Sequence, residues 1–310
     1  MINDILSFII FPGFLFTAAA GMLASWIDRK VTAAVQWRQG PPLLQPFYDV
    51  LKLMTKEIVL PAGVSKWTFL LSPLIGLAAI TLVSTMIWKS IISPSNTFSG
   101  DLIVIIYLMM LPPIMVILGG IASRNPLASL GVSREMKLLM AYELPFIIAV
   151  FIPVMKSGFN IQLGGLLNYQ LSNGMFIHHP SCIIALIVAI LCMQAKLSLV
   201  PFDIPEAETE IMAGPYIEYS GAPLAVYKLT KMMMLFVVPV FLIVIFMGGV
   251  KSGGGWNAMA GVLKYVFLLV IVILIRNTNP RVRIDQAMRF FWGPVTLLAV
   301  FGVCLAFLGA

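Results

Sequence analysis

Residues 138–155 read LLMAYELPFIIAVFIPVM, an almost unbroken apolar run that carries one acidic residue, Glu143. A charge at the centre of a bilayer costs roughly 2.5–3.5 kcal/mol or more, so an acid in such a run indicates a functional site. The whole chain shares this apolar character: 60% of its residues are hydrophobic, 11% are charged, and the mean hydropathy is +0.99. Soluble domains are about 25% charged. The composition therefore predicts a membrane protein that handles protons or ions.

Eight apolar runs approach the roughly 20 residues that cross the hydrocarbon core of a bilayer. None of them alternates polar and apolar residues as a barrel strand would. We therefore predict one all-α transmembrane domain, residues 1–310, with about eight membrane-spanning helices. The first run is too long for a signal peptide and lacks a basic leader, so we expect it to be retained. The expected spans are Ile5–Ile27, Thr68–Ile92, Leu102–Ala122, Leu138–Met155, Cys182–Val200, Leu224–Met247, Ala258–Ile275 and Ala287–Leu308.

Lysine and arginine lie mostly on one side of this predicted topology. The opposite side holds only Lys89, Lys156, Lys251 and Lys264. By the positive-inside rule, the charged loops face the cytoplasm and both termini lie outside a multi-pass protein of the cell membrane. The net charge of +7 then reflects topology and anionic headgroups, and we expect no nucleic-acid partner.

The cysteines and histidines lack the spacing of a metal or iron–sulfur motif. Cys182, Cys192 and Cys304 are scattered in or beside apolar runs, and His178 and His179 stand together in an outer loop. We expect buried structural thiols, a solvated histidine pair, and no catalytic residue, metal site or redox cofactor in this chain.

The segment after Gly40 predicts an amphipathic helix near the membrane interface. It is either a strut on the membrane surface or a platform for a soluble partner, and its grouped charges of both signs favour the platform. The apolar residues at helical spacing are Leu43, Leu44, Phe47, Val50, Leu51 and Met54.

Two interpretations of Glu143 are open. Burial disfavours a carboxylate, so such a group can change its protonation state when a neighbouring charge moves, which suits a proton relay. Pro145 leaves the carbonyl of Ala141 without a donor, where water could enter. The alternative is a carboxylate neutralised by a basic neighbour, Arg134 or Lys137. We favour the relay.

A second group of acids follows the fifth span, where residues 203–210 read DIPEAETE. Like charges at this spacing repel, so some of these acids are expected to hold protons or bind cations. The alternative is a solvated acidic loop. The basic character of the neighbouring segments favours a buried, functional loop. Lys228 and Lys231 could pair with it, although contact with lipid headgroups is the favoured role.

Four blocks of sequence, in order along the chain, resemble a known family. It is the membrane subunit shared by respiratory complex I, where it is the H subunit of the bacterial enzyme, and energy-converting membrane-bound NiFe hydrogenases, with their sulfur-reductase relatives. The blocks are Asp28–Glu57 with its Gln36-Trp37-Arg38-Gln39-Gly40-Pro41 motif, Gly131–Glu143, Pro201–Gly221 with Pro-Phe-Asp-Ile-Pro-Glu-Ala-Glu, and Pro280–Gln286.

The resemblance implies a subunit that anchors a peripheral redox arm and links its electron transfer to ion translocation. The partners would be hydrogenase-like large and small subunits, an iron–sulfur subunit and antiporter-like membrane subunits, all beside the lipid bilayer. Iron–sulfur clusters and a NiFe centre would lie in those partners. For proton relay or coupling we name Glu143, Asp203, Glu206, Glu208, Glu210 and Glu218. For contact with the peripheral arm we name Arg29, Lys30, Arg38, Asp49, Lys52, Arg134, Arg281, Arg283 and Asp285.

Two departures from the complex I pattern favour the hydrogenase branch. The segment Gly40–Gln45 is contracted, and Lys196 stands where complex I tends to carry an acid before Pro-Phe-Asp. Both changes argue against quinone binding. We expect an ion-coupling subunit of a hydrogenase-type complex. The alternatives are a sulfane sulfur reductase, a quinone-reducing enzyme and, ranked lower because no inverted repeat is found, a stand-alone transporter.

Overall fold

The computed structural model describes residues 2–250 and 255–309, with the backbone alone for residues 2–4, Asn96, Glu208 and Gly255. In these ranges the chain forms helices and no strand. Seven helical segments are long and apolar enough to cross a bilayer, and one further apolar helix is shorter. The helices are α1 Ile2–Ile9, α2 Phe14–Val35, α3 Gln45–Met54, α4 Lys66–Ile92, α5 Asp101–Ala122, α6 Pro126–Lys156, α7 Leu163–Asn173, α8 Pro180–Lys196, α9 Glu208–Ile211, α10 Gly221–Phe246, α11 Gly255–Thr278, α12 Ile284–Phe290 and, after a π-helical turn at Phe291–Val295, α13 Thr296–Phe307.

The first expected span, Ile5–Ile27, is wrong as a single helix because the chain breaks between α1 and α2. Pro12 has no N–H to donate, and a Cβ at Gly13 would lie 1.7 Å from the carbonyl oxygen of Phe8. The Thr17 hydroxyl donates to the Gly13 carbonyl at 2.8 Å. The second helix then continues to Val35, so three charged residues of the predicted loop, 28–30, lie on a helix.

The fifth expected span, Cys182–Val200, is also wrong at its end, because α8 stops at Lys196. Ser198 has φ +47°, a left-handed conformation that turns the chain back. The side-chain amide of Gln194 donates to the Val200 carbonyl at 2.7 Å and fixes this turn. The turn directs the acidic loop back across the bundle.

The core lies around α10, the most buried of the long helices, with 94% of its most apolar window inside the protein. A helix that is apolar on all sides is stable only when other helices surround it. It packs against α2 and α4, while α6 packs against α5 and α8. One end of the bundle, formed by α3 and by residues 197–220 and 279–283, gathers most of the ion pairs; we call it the charged end.

The predicted amphipathic helix is present as α3, Gln45–Met54. It contacts α2 and α10. Leu51 and Met54 leave about half of their surface exposed, as do Leu43 and Leu44 just before the helix. These partly exposed side chains in and just before α3 therefore form an apolar face beside the charged end.

Candidate functional site

The carboxylate of Glu143 is buried and pairs with an ammonium on the facing helix. Lys196 Nζ lies 3.2 Å from Glu143 Oε2, and its side chain is 0% exposed against 8% for Glu143. The ammonium also lies over the rings of Tyr142 and Phe146, 5.5 and 4.6 Å from their centroids. A cation over an aromatic face is stabilised without water.

The structure thus shows the alternative of a Glu143 neutralised by a basic residue, but the partner is neither Arg134 nor Lys137. The partner comes from α8, 53 residues away along the chain. Arg134 instead donates to Glu210 Oε2 at 2.6 Å. The residue that set this chain apart from the complex I pattern is the one that neutralises its central acid.

A second buried acid, Glu135, was missed because the span was expected to begin at Leu138. The helix begins at Pro126, where the Asn125 side chain accepts from the backbone N–H of Leu127 at 2.8 Å. Asparagine at the N-cap followed by proline is a recognisable helix start. That signal extends α6 to Glu135, eight residues before Glu143 and 6% exposed.

Glu135 lines a small, partly open cavity within the bundle, which we call the internal cavity, together with Lys196, Glu206 and Lys231. Lys231 Nζ donates to both carboxylate oxygens of Glu206, at 2.8 and 2.7 Å. The expectation that Lys231 reaches lipid headgroups was therefore wrong. The pair is partly exposed, at 36% for Lys231 and 27% for Glu206, and the acidic loop supplies its carboxylate.

A second, larger cavity shares Glu206, Tyr216 and Lys231 with the internal one. The Glu206–Lys231 pair thus lines both cavities. Tyr219 also lines the second cavity and donates to the Phe69 carbonyl at 3.1 Å. Burial raises the pKa of Tyr219 to about 12, so its phenol stays protonated near neutral pH.

Ion pairs and hydrogen bonds from different helices hold the rest of the acidic loop. Arg281 donates to Asp203 at 2.9 and 2.5 Å, and Glu210 receives the bond from Arg134. Glu218 accepts from the Asn125 amide at 2.5 Å. The side chain of Glu208 lies outside the described residues. The loop is therefore paired with the basic segments, but the expected burial is only partial, because the Glu210 side chain is 52% exposed.

The residues expected to meet the peripheral arm lie at the charged end. Arg29 donates to Asp49 at 2.7 Å and so joins α2 to α3. Burial raises the pKa of Asp49, but bonds from Arg29 and Gln45 outweigh it and hold this pKa below the ordinary value. The exposed members of the set are Lys30, Arg38, Lys52, Arg281, Arg283 and Asp285.

One further pair was not predicted: Arg276 donates to Asp28 at 2.7 Å. It lines a third cavity with Lys228 and Lys231. The ionisable groups thus continue from the internal cavity to α2 and α11. Among the described residues no group of three or more His, Cys, Asp or Glu is placed to hold a metal ion.

The ionisable groups from Glu206 to Glu143, which we call the row, can transmit a change of charge. Acids and bases alternate from Glu206 through Lys231, Glu135 and Lys196 to Glu143, and the last three lie in the buried interior. A charge that appears at one end changes the stability of the charged form at the next position, because screening is weak in such a medium. The arrangement can therefore move protons, or transmit a change in electrostatic potential, between the charged end and the middle of the bundle.

Comparison with known proteins agrees with this architecture. The NADH dehydrogenase family matches residues 6–307. The chain is 33% identical over 304 residues to the H subunit of NADH-quinone oxidoreductase from Geobacillus sp. (strain WCH70), covering 92% of this chain and 88% of the relative. It is 31% identical over 323 residues to the H subunit of the same enzyme from Thermomicrobium roseum, covering 94% and 92%.

A solved structure is also similar. It is that of the membrane-bound sulfane sulfur reductase, an archaeal respiratory membrane complex, with a TM-score of 0.81 and 26% identity. The likeness covers 94% of this chain and 96% of the matched chain. The sequence and the fold thus point to membrane subunits of respiratory oxidoreductase complexes. The chain belongs to the NADH dehydrogenase family, as a relative of the H subunit of NADH-quinone oxidoreductase.

Proposed function

We propose that this chain is the membrane anchor and ion-coupling subunit of an energy-converting, NiFe-hydrogenase-type respiratory complex. The observation that carries the coupling role is the buried Glu143–Lys196 pair at the inner end of the row of ionisable groups. A buried ion pair is a weak source of stability, whereas a buried acid in a membrane helix is usually functional.

Electrons would move through iron–sulfur clusters of the attached arm and reduce protons at a NiFe centre, both held by partner subunits. The partners would be hydrogenase-like large and small subunits and an iron–sulfur subunit. A change of charge at the arm would act first on the acidic loop, held by Arg134, Lys231 and Arg281. It would then pass through Glu135 and Lys196 to Glu143 and on to antiporter-like membrane subunits.

The charged end would face the cytoplasm, with both termini outside. The exposed Arg38, Lys52 and Arg283, and the Arg29–Asp49 pair, would then form the surface that receives the arm. Basic and acidic groups together on one face suit a protein partner, since electrostatic complementarity guides docking. The apolar side of α3 would lie against the bilayer.

Two other assemblies remain candidates for the same subunit. The sulfane sulfur reductase likeness, at a TM-score of 0.81 over nearly the whole chain, favours a sulfur-reducing complex. The names of the sequence relatives favour a quinone-reducing enzyme. Buried Lys196 in place of an acid speaks against quinone chemistry. Assaying the purified complex with protons, polysulfide and a soluble quinone as acceptors separates the three.

The coupling role is tested with Glu143→Gln in the whole complex, reconstituted in sealed vesicles. A positioned proton-transfer group contributes about 10²–10⁴-fold to a rate, so we expect redox-driven ion translocation to fall about 100-fold or more. Electron transfer to the acceptor should continue, because the redox centres are elsewhere. Glu57→Gln, a change at an exposed glutamate, is the control. Undiminished translocation in Glu143→Gln would refute the proposal.

A further inference from the structure

The row consists of three carboxyl groups and two ammonium groups, and all of these residues except Glu143 line the internal cavity. Glu143 has Lys196 at 3.2 Å, and Glu206 has Lys231 at 2.7 Å. Glu135 lies between these two ion pairs on the cavity wall. In the part of the chain that the structure describes, Glu135 has no hydrogen bond or ion pair of its own.

The charges of this row do not balance if every acid is ionised. An uncompensated carboxylate in a medium of low dielectric constant is so costly that the group takes up a proton instead. Two cations can compensate two carboxylates, and both are already engaged. We infer that Glu135 is a further proton-carrying residue, and that in the resting complex it holds the one proton that the row contains.

The same geometry assigns a role to Lys196. It lies on α8, facing α6, and lines the cavity beside Glu135 while it pairs with Glu143. The two acids are eight residues apart on α6, about 12 Å along the axis at 1.5 Å per residue. Both are buried, so both point to the interior of the bundle. The ammonium pairs with Glu143 in this structure; it would have to leave Glu143 to neutralise Glu135, and it cannot neutralise both acids at once.

Proton transfer from Glu135 to Glu143, a step that rests on the proposed function, conserves the charge of the row. The O–H bond of Glu135 breaks, and a proton is delivered to a carboxylate oxygen of Glu143 past Lys196, the residue that lines the cavity with Glu135 and pairs with Glu143. The Lys196 ammonium moves from Glu143 to the newly ionised Glu135, so the net charge of the row is unchanged. The other titratable groups that face this cavity are Glu206, Lys231, Tyr216 and Tyr227.

The inference is tested by infrared difference spectroscopy of the resting complex, which detects the C=O band of a protonated carboxyl. Subtracting Glu135→Gln from the wild type should leave one such band. Buried acids elsewhere, such as Asp101, are present in both samples and cancel. No turnover is needed, so this experiment can fail while the coupling role stands, and the reverse is equally possible.

Charge balance also predicts how the C=O bands change from one variant to the next, in a way that a merely structural glutamate would not give. In Glu143→Gln, Lys196 becomes available to Glu135, so Glu135 ionises and its band disappears. In Glu143→Gln with Lys196→Met, one cation again faces two acids, and the band of Glu135 returns. In Lys196→Met alone, Glu143 must take up a proton, which adds a second band.

A C=O band that persists in Glu135→Gln and vanishes in Glu143→Gln would overturn the inference, because the proton would then belong to Glu143. A wild type without any difference band would overturn it as well. If Glu143→Gln or Lys196→Met does not assemble, the comparison of Glu135→Gln with the wild type still decides the question.

Discussion

At the scale of single residues, the sequence identified the central acid but not its partner. Glu143 was evident because it interrupts an apolar run. Lys196 could not be assigned to it, since pairing across two helices depends on how α6 and α8 pack. Neighbours in sequence are poor guides here: Arg134 is nine residues from Glu143 but reaches the acidic loop at Glu210. Glu135 was missed for a different reason, the misplaced start of its helix.

The pair between Arg29 and Asp49 gives a pH-dependent prediction. Since the pKa of Asp49 is lowered in the folded protein, its stabilising effect is fully present above the ordinary value of about 3.9 and is lost as pH falls through the lowered value. Near neutral pH, Asp49→Asn should speed hydrogen exchange of the α3 amides, because α3 loses its bond to α2.

The effect should be modest, since both side chains are more than a third exposed, at 37% and 34%. At a pH below the lowered pKa, the wild type and Asp49→Asn should exchange alike. A difference that persists in acid, or none near neutral pH, would show that the charge on Asp49 does not hold α3 in place.

At the scale of elements, apolar length predicted the spans while their ends depended on local contacts. The break before α2 follows from Pro12 and from the close approach of Gly13 to Phe8, which a hydropathy pattern does not register. The end of α8 follows from the turn at Ser198. These ends matter for function, because they place Asp28 and Arg29 on a helix and direct the acidic loop to the internal cavity.

The contact between α6 and the turn at residues 214–216 offers a test of this packing. A Cβ at Gly131 would lie 2.7 Å from Pro215 Cδ and 2.9 Å from Gly214 Cα. Overpacking of this kind costs about 1–3 kcal/mol, so Gly131→Ala should lower the Tm of the complex. Tyr216, on the same turn, would be displaced from the cavity wall.

The matched control is Gly293→Ala, where an added Cβ meets nothing within 4 Å. Alanine has a better helix propensity than glycine by up to about 1 kcal/mol, so this variant should keep or raise the Tm. Equal Tm values for the two variants would mean that the 214–216 turn does not pack on α6 as described.

At the scale of the whole molecule, composition was sufficient to predict an all-α polytopic protein, and the structure confirms it. Four short blocks were sufficient to predict the family, because their motifs resemble those of the family in the same order along the chain. The terminal acceptor is a different matter: the redox centres are expected in partner subunits, so this sequence bears on the acceptor only indirectly, through Lys196.

The central claim is that buried carboxyl groups exchange protons in step with electron transfer in attached subunits. It is tested most directly by reaction-induced infrared difference spectroscopy of the reconstituted complex during turnover, with Glu143→Gln as the reference. We predict that a C=O band of Glu143 appears and disappears as electrons pass through the arm. A complex that turns over while the carboxyl at position 143 stays in one protonation state would contradict the account.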